Sequence, residues 1–545
     1  MPRTSYQTEA HQLDIGPLGH IEGLKLSTNG KPAIYYYGGI PYALPPVGPY
    51  RFRKARQLPP CYRYGHRASP GRFSGGTAVC PQPAFRGKPD DSLFDENCLQ
   101  LNIYIPAGEA PQGGWPVFFY IHGGYLQWGD PNMPPHGLAP LLSETSFRCI
   151  IVEPAYRLNA FGFLVSTELQ AEAEKNREPA GNMGFWDQRM ALAWTWKNIT
   201  LFGGNQDQIT VGGYSAGSHS TFQQLAHELY RVPDNKAIIK NAIMWSNSPG
   251  VQPKSLAEHQ KQFDEYTTAL EIDSSLTGEE KLRKLRAIPD KHLVPVQDKM
   301  KLSEFRAYSD GAFIPTDIIA NINNGDFAKR MKRRGIKLMN GETKEEHNSY
   351  RHWRTPSQSY LAVYTRLCAD YPEAAVSKLM HHYCQGKQDL PKGYSDWQHL
   401  FGHVYSDMQV HCLERGFQNA LVKGGLVPGR DLLRYRIEKR MKCIDSAIPP
   451  QWGVTHATDM AMWFYGLNYG DGLTEDEKRA TKPLIEAFAG FVKGEEVRWG
   501  TNGPTQAKRL RGDGKTDIWD DEMWEKGLEV WKLVNGDGGS IKARI

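Results

Sequence analysis

Short apolar runs, each ended by a glycine-rich or polar turn, recur along the chain. Such runs are typical of strands that are buried on both faces of a mostly parallel sheet. They predict strands over residues 117–121, 149–152, 242–245, 336–339 and 432–437.

Helical patterns stand between and after these predicted strands. Residues 186–199 carry apolar side chains at helical spacing, and a second helix is predicted for the segment that follows Ser215. Thr474 and Glu477 form a capping-box pattern ahead of a third apolar helix face. Because strands alternate with helices, the pattern predicts an α/β fold with a large, mostly parallel central sheet flanked by helices.

One charged and helix-rich region, roughly residues 253–324, interrupts this alternation. We expect it to form a helical insertion beside the sheet, with the whole chain, 1–545, folded as a single large domain. A hydrophobic content of 40% supplies enough apolar side chains for a core of that size.

The charge balance excludes several kinds of partner. The formal net charge is only +5 from 65 basic and 60 acidic residues, which gives no reason to expect nucleic acid or a membrane surface as partner. No apolar run approaches the ~20 residues that span a bilayer. The first residues lack the apolar centre of a secretory signal, so we expect a cytoplasmic or otherwise intracellular protein, unless a leader has been removed.

The cysteines give no sign of a metal site. There are eight in 545 residues, too few for a disulfide scaffold, and none lie in the CxxC spacing of metal ligands. We therefore expect neither a metal nor a cofactor.

The stretch ITVGGYSAGSHS, residues 209–220, contains the strongest candidate for chemistry. It places Ser215 between Gly213 and Gly217, after a β-branched run and before a predicted helix. A serine at such a strand-to-helix elbow projects its hydroxyl above the sheet. The helix N-terminus adds partial positive charge where an oxyanion would form. This context favours a nucleophile over the alternative, an ordinary surface turn.

A glycine-rich loop supplies the donors that such a nucleophile needs. The stretch YIHGGYLQWG begins at Tyr120 and places Gly123 and Gly124 directly after a predicted strand. The backbone N–H groups of both glycines, of Tyr125 and of Ala216 are the predicted oxyanion hole.

Five stretches together resemble the type-B carboxylesterase/lipase family, the cholinesterase-like α/β-hydrolases. They are ENCLQLNIYIP from Glu96, YIHGGYLQWG from Tyr120, AYRLNAFGFL from Ala155, AGNMGFWDQRMALAWTWKNITLFGG from Ala180, and the elbow around Ser215. The resemblance extends from about residue 16 to about residue 493 and implies an α/β-hydrolase fold.

The resemblance also implies the acid and the base of a triad. The family's acid follows a strand in a pattern that GETKEE matches, which selects Glu346, and its histidine corresponds to His456 in GVTHATDMAMWFYG. His347 stands where the family usually has glycine, so a register with Glu345 as the acid stays open. His347 itself is the rival base.

Two residue pairs are implied to be structural. Glu96 and Arg157 resemble the family's buried ion pair, and Cys80 and Cys98 resemble its first disulfide loop, which need not form in a reducing cytosol. Aromatic residues close to the motifs are candidates for the substrate pocket: Tyr125, Trp128, Trp186, Tyr214 and Trp463.

These residues predict a serine carboxylic-ester hydrolase that acts through a covalent acyl-enzyme, with a small-molecule ester and water as its partners. Cholinesterase-like members commonly have glutamate where Tyr214 stands, so we expect neutral, fairly apolar esters to be preferred. Two alternatives use the same fold. One is the hydrolysis of a lactone or a side-chain ester of a specialised metabolite, and the other is a non-catalytic, adhesion-type homologue.

Overall fold

The computed structural model describes residues 4–85 and 90–536. Within them a single sheet contains thirteen strands. The strands are β1 (Gln7–Asp14), β2 (His20–Thr28), β3 (Lys31–Pro41), β4 (Gly71–Arg72), β5 (Gln100–Pro106), β6 (Trp115–Ile121), β7 (Ile150–Pro154), β8 (Gly204–Tyr214), β9 (Ile239–Trp245), β10 (Lys337–Thr343), β11 (Leu432–Ile437), β12 (Gln506–Leu510) and β13 (Thr516–Asp520).

The middle of the sheet is parallel and its margins are antiparallel. The order across the sheet is β1-β2-β3-β5-β7-β6-β8-β9-β10-β11-β12-β13, with β4 paired to β2. The strands from β7 to β12 run parallel. The pairs along the two margins, among them β5 with β7 and β12 with β13, are antiparallel, whereas the short β4 runs parallel to β2. All five strands predicted from apolar runs are confirmed as β6, β7, β9, β10 and β11, and all of them belong to the parallel part.

Helices occupy the connections between the strands. They are α1 (Pro135–Glu144), α2 (Asn159–Phe163), α3 (Thr167–Asn176), α4 (Met183–Asn198), α5 (Ala216–Arg231), α6 (Leu256–Ala269), α7 (Gly278–Ala287), α8 (Asp290–Leu293), α9 (Ile318–Asn323), α10 (Asp326–Arg334), α11 (His347–Tyr350), α12 (Tyr360–Asp370), α13 (Glu373–Tyr383), α14 (Trp397–Gln409), α15 (His411–Lys423), α16 (Met460–Trp463), α17 (Glu475–Lys493) and α18 (Trp524–Asn535). None of these helices combines the length and the apolar character that crossing a bilayer requires.

Two apolar cores lie on opposite faces of the sheet. Along β6, Val117 and Phe119 belong to one buried cluster, whereas Phe118 and Tyr120 belong to the other. Since successive side chains of a strand point to opposite faces, the sheet is covered on both sides. Because both faces of the sheet are buried, the sequence of β6 is a continuous apolar run.

The helical insertion predicted over 253–324 is present as α6 to α9, between β9 and β10. A second helical region, α11 to α15, lies between β10 and β11 and was not predicted. The antiparallel margins were also missed. All residues of β1 are exposed or partly exposed, so no apolar run marks the strand.

Candidate active site

Ser215 lies at the turn between β8 and α5, where its backbone adopts φ 57° and ψ −123°. Its N–H donates to the carbonyl of Trp245 on the neighbouring strand, at 2.9 Å. Gly217 allows the turn to pack tightly, because a Cβ there would lie 1.9 Å from the carbonyl oxygen of Ile121. A positive φ is unusual for serine, and the strain is typical of a nucleophile elbow.

The structure brings Glu346 and His456 together. His456 Nδ1 lies 2.6 Å from Glu346 Oε2, while Glu346 Oε1 accepts the N–H of Thr343 at 2.9 Å. Burial alone would raise the pKa of the Glu346 carboxyl, but the charge of His456 and its hydrogen bond lower that pKa overall. Glu346 is therefore ionised and oriented toward the imidazole.

His456 turns its second nitrogen toward the nucleophile's cavity. Within the described part of the chain, His456 Nε2 is buried and has no hydrogen-bond partner. Ser215 and His456 line the same cavity, which has a volume of about 400 Å³. The arrangement leaves Nε2 available to accept a proton from the serine hydroxyl.

The two alternatives from the sequence lie elsewhere. Glu345 accepts the N–H of Val454 at 2.7 Å and so supports the loop that carries His456. The ring of His347 stacks on His403 with centroids 3.9 Å apart, and burial lowers the pKa of His347 to about 3. Neither residue lines the cavity that holds Ser215.

His347, His399 and His403 are the group of described residues that comes nearest to a metal-ligand set, with ring nitrogens within 4.8 Å of one another. His399 Nε2 and His403 Nε2 lie 3.0 Å apart and share a hydrogen bond. The planes of the His347 and His403 rings are inclined by 17°, so these two rings are stacked on one another.

The predicted oxyanion loop surrounds the nucleophile. Gly123 packs on Ser215, since a Cβ at Gly123 would lie 3.0 Å from that of Ser215. Gly124 has φ 112°, and a Cβ there would lie 1.8 Å from the carbonyl oxygen of Trp128, so the turn requires glycine. Gly123, Gly124 and Tyr125 line the cavity with Ser215, and Ala216 follows it at the first position of α5.

Tyr214 connects the nucleophile's strand to the loop of the base. Its hydroxyl donates to Asp459 Oδ1 at 2.8 Å and accepts the N–H of Ala457, next to His456, at 2.7 Å. Asp459 also accepts the indole N–H of Trp463 at 3.0 Å, and burial raises the pKa of its carboxyl to about 6. The sequence analysis missed Asp459, although it lies three residues after His456 in the same motif.

Of the five aromatic residues predicted to line the pocket, Tyr125, Trp128 and Tyr214 do so. The prediction is wrong for the other two. Trp463 is fully buried in the core, stacked on Trp245 at 5.0 Å, because the short helix α16 turns it inward. Trp186 lies on α4 under Lys54, whose Nζ is 4.0 Å from the ring centroid.

A second, smaller cavity of about 70 Å³ also touches Ser215. Its wall includes Tyr125 and Ala216 together with Lys254, Arg306 and Asp370. Lys254 and Arg306 belong to the insertion and Asp370 ends α12. No motif marks these three positions, and the sequence analysis did not identify them.

The predicted ion pair between Glu96 and Arg157 is wrong. Arg157 Nε donates to Asp187 Oδ2 at 2.7 Å, and both side chains are buried. Glu96 instead accepts from Arg51 Nε at 2.7 Å. Asp187 lies on the buried face of α4. It therefore occupies the position beside the Arg157 guanidinium that the prediction gave to Glu96.

Cys80 and Cys98 are both buried free thiols. They are neighbours, since a hydrogen bond with Cys80 is the foremost cause that raises the pKa of Cys98. The two cysteines that the resemblance pairs are thus neighbours in the structure, and both are free thiols.

Comparisons with known proteins show to which family the chain belongs. The carboxylesterase family model matches residues 9–521. The chain is 55% identical over 531 residues to a carboxylic ester hydrolase of Gibberella moniliformis, covering 97% of each chain. It is 39% identical to an uncharacterized esterase/lipase of Schizosaccharomyces pombe, covering 96% of each chain. Among solved structures, a thermophilic PNB esterase is similar in fold, with a TM-score of 0.72 over 95% of this chain and 100% of that chain, at 21% identity.

The elbow, the loop and the sheet order define an α/β-hydrolase, which confirms the fold expected from the sequence. The chain belongs to the carboxylesterase family and is a carboxylic ester hydrolase of the EC 3.1.1 class.

Proposed function

We propose that the protein hydrolyses esters through a Ser215-His456-Glu346 triad and a covalent acyl-enzyme. The observation that carries this proposal is the 2.6 Å contact between His456 Nδ1 and Glu346, with His456 and Ser215 lining one cavity. An adhesion-type role without catalysis would not require a complete acid, base and nucleophile at one cavity.

Each residue has a defined role in the reaction. His456 Nε2 takes the proton of Ser215 as its oxygen attacks the ester carbonyl, and Glu346 holds the imidazole and favours its charged form. The N–H groups of Gly123, Gly124, Tyr125 and Ala216 stabilise the tetrahedral oxyanion. His456 protonates the leaving alcohol, and water activated by the same histidine then releases the acid.

Replacing the nucleophile tests the proposal. Ser215→Ala should lower kcat for p-nitrophenyl butyrate by a factor on the order of 10³ to 10⁶, because the oxygen that forms the acyl-enzyme is lost. Ser218→Ala, one turn along α5, is the matched control, since the Ser218 hydroxyl is buried and has no partner within the described residues. A fluorophosphonate should label the peptide that contains Ser215. A Ser215→Ala enzyme that kept a tenth of the activity would refute the triad.

The cavity on the side of His456 supports a neutral alcohol part. Its wall contains the aromatic side chains of Phe85, Trp128 and Tyr469, and Asp130, the one acidic residue among the described residues of the wall, is exposed to solvent. A solvated carboxylate attracts a cation weakly. The hydroxyl of Tyr214, at the position next to the nucleophile, is neutral and engaged with Asp459.

A matched pair of esters tests this preference. We expect 3,3-dimethylbutyl acetate to be hydrolysed with a kcat/KM at least equal to that of acetylcholine, which has the same shape and one positive charge. Cation-π contacts worth about 0.5 to 2 kcal/mol can hold a quaternary ammonium, so acetylcholine need not be rejected. A preference for acetylcholine of about tenfold or more would show that a carboxylate such as Asp130 acts on the alcohol part.

A further inference from the structure

The two cavities that touch Ser215 correspond to the two halves of an ester. In the proposed mechanism His456 protonates the departing alcohol, so the alcohol part must lie in the cavity that contains His456. The second cavity contains Ser215 and Ala216 but not His456. It is therefore the place for the acid part, and this assignment rests on the proposed function.

The wall of this acid-side cavity carries a buried ammonium group. Lys254 Nζ donates to the carbonyls of Cys368 and Ala369, at 2.7 and 2.6 Å. An ammonium has three N–H donors, so these two bonds leave one donor of Lys254 without an acceptor among the described residues. Lys254 is 6% exposed, and a donor that is unused at such a site carries a desolvation cost until a ligand supplies an acceptor.

A guanidinium completes the positive side of the wall. Arg306 forms ion pairs with Asp370 and Glu304 and donates to the carbonyl of Tyr125 in the oxyanion loop. Its Nε is buried and has no hydrogen-bond partner in the part of the chain that the structure describes. Arg306 thus connects the acid-side cavity to the loop that holds the oxyanion.

The charges around the cavity favour an anion. Asp370 is held by both Arg306 and Arg366, and Glu304 lies 3.3 Å from each of these guanidinium groups. With Lys254 the buried cluster contains three cations and two carboxylates. Burial lowers the pKa of His219, also in the wall, to about 4, so it is neutral at pH 7.

Three further charged side chains, Arg354, Asp298 and Glu258, lie around this cluster but outside the cavity wall. Arg354 lies 3.0 Å from the exposed Asp298 and 3.4 Å from Glu304. Glu258 caps α6 through Ser255, is half-buried, and acts on Lys254 through its charge, but it is not part of the cavity wall. Asp370 Oδ1 has no hydrogen-bond partner among the described residues, but both Asp370 oxygens form ion pairs with arginine, so the unused donors of Lys254 and Arg306 are the groups available to a ligand.

We propose that the acid-side cavity binds an acyl group that ends in a carboxylate, so that the preferred substrates are monoesters of short dicarboxylic acids. The free carboxylate accepts from Lys254 and Arg306, and the cavity of about 70 Å³ limits the acyl chain to a few atoms. Ser215 attacks the esterified carboxyl, the alcohol leaves with the proton from His456, and water releases the dicarboxylate. The apolar character expected for the substrate then applies to its alcohol part alone.

Two esters that share their alcohol and differ in one terminal group test the proposal. Monobutyl succinate carries a carboxylate where butyl 4-methylpentanoate carries an isopropyl group of similar shape. For the wild-type enzyme at pH 7, we expect kcat/KM for the succinate to be higher by about tenfold or more, because charge-assisted hydrogen bonds replace an unfavourable apolar contact. Equal values, or a preference for the apolar ester, would overturn the proposal.

Variants at two lysines locate the effect. Lys254→Met removes the charge and keeps the length, so it should lower kcat/KM for monobutyl succinate about tenfold while the apolar ester changes less than about threefold. Lys261→Met on α6 is the matched control, because Lys261 is exposed and should alter neither value. An equal loss for both esters in Lys254→Met would mean that Lys254 has only a structural role and would refute the assignment.

A third substrate separates this proposal from the proposed function. Hydrolysis of p-nitrophenyl acetate that disappears in Ser215→Ala, without a preference for the succinate, would overturn the acid-side assignment and leave the triad intact. Activity that persists in Ser215→Ala would overturn the triad, and with it the assignment of the two cavities.

Discussion

At the scale of single side chains, we expect Tyr214 to position the loop that carries the base, His456. Its hydroxyl joins the end of β8 to Asp459 and to the N–H of Ala457. Tyr214→Phe keeps the ring but removes these bonds, so the loop of His456 should shift relative to Ser215. We expect kcat for p-nitrophenyl butyrate to fall about ten- to a hundredfold, with KM nearly unchanged.

Tyr266→Phe is the control for that change. The Tyr266 hydroxyl donates to the carbonyl of Leu293 at 2.9 Å and is equally buried, but it lies in neither cavity wall. Both variants should lose about 1 kcal/mol of unfolding free energy, whereas only Tyr214→Phe should lose turnover. The same kcat in both variants would exclude a positioning role for Tyr214.

A second prediction concerns Lys254 and the dependence of the free energy of unfolding on pH. Burial lowers the pKa of Lys254 to about 8, from 10.5. Between pH 8 and 10.5 the unfolded chain therefore binds this proton and the folded chain does not, so the free energy of unfolding rises with pH across that window. The gain should approach about 3 kcal/mol.

Urea unfolding at pH 8 and at pH 10.5 measures this contribution. The comparison is between wild type and Lys254→Met, because all other groups that titrate in this window contribute to both. The wild type should gain stability relative to the variant as pH rises. Parallel changes in the two proteins would mean that Lys254 keeps an ordinary pKa.

These single residues also show how far the sequence leads to the site. Ser215, Glu346 and His456 each lie in a local motif, so they were predicted from short stretches of chain. Lys254 and Asp370 come together only when the segment ahead of α6 meets the end of α12, and no spacing along the chain encodes that contact. Glu96 shows a different limit. Its motif led to a prediction of an ion pair, and Glu96 does form one, but with Arg51 and not with the predicted Arg157.

At the scale of elements, burial decides what could be predicted. β6, β7, β9, β10 and β11 belong to the parallel part of the sheet, which is covered on both faces, and they were predicted from apolar runs. The prediction for β11 matches its full length. β1 and β13 lie at the edges with mostly exposed side chains, and alternation in them is weak. The Thr474 capping box was predicted and is confirmed at the start of α17.

The helices α11 to α15 were missed for a related reason. They pack on one another as a helical layer between β10 and β11, and polar residues such as His399, His403 and Asp407 are distributed among their apolar positions. Such a layer must supply both a core and the walls of a site, so its periodicity is mixed. The walls of the acid-side cavity arise from this layer and from the insertion.

At the scale of the whole molecule, a buried ionic network joins the sheet to the last part of the described chain. Arg415 on α15 donates to Glu342 on β10 at 2.8 and 3.0 Å, and to Asp521, which precedes α18, at 3.0 Å. Arg434 on β11 pairs with the same Asp521 and with Glu414. The positive charges around Glu342 hold the pKa of its buried carboxyl well below the ordinary value, although burial opposes this.

Replacing Arg415, the centre of this network, should lower the free energy of unfolding without changing kcat. Arg415→Met leaves Glu342 and Asp521 buried with fewer partners, and such a loss typically costs about 3 to 5 kcal/mol of unfolding free energy. Lys175→Met breaks an exposed pair with Glu279 and is the control, with an expected change below about 0.5 kcal/mol. Urea unfolding followed by tryptophan fluorescence measures both.

Because Arg415 lines neither cavity next to Ser215, the kcat of the folded Arg415→Met enzyme at 25 °C should stay within about twofold of wild type. A stability change as small as that of Lys175→Met would show that the network is dispensable. A selective loss of kcat would show that Glu342, four residues before Glu346 on the same strand and turn, carries the disturbance into the triad.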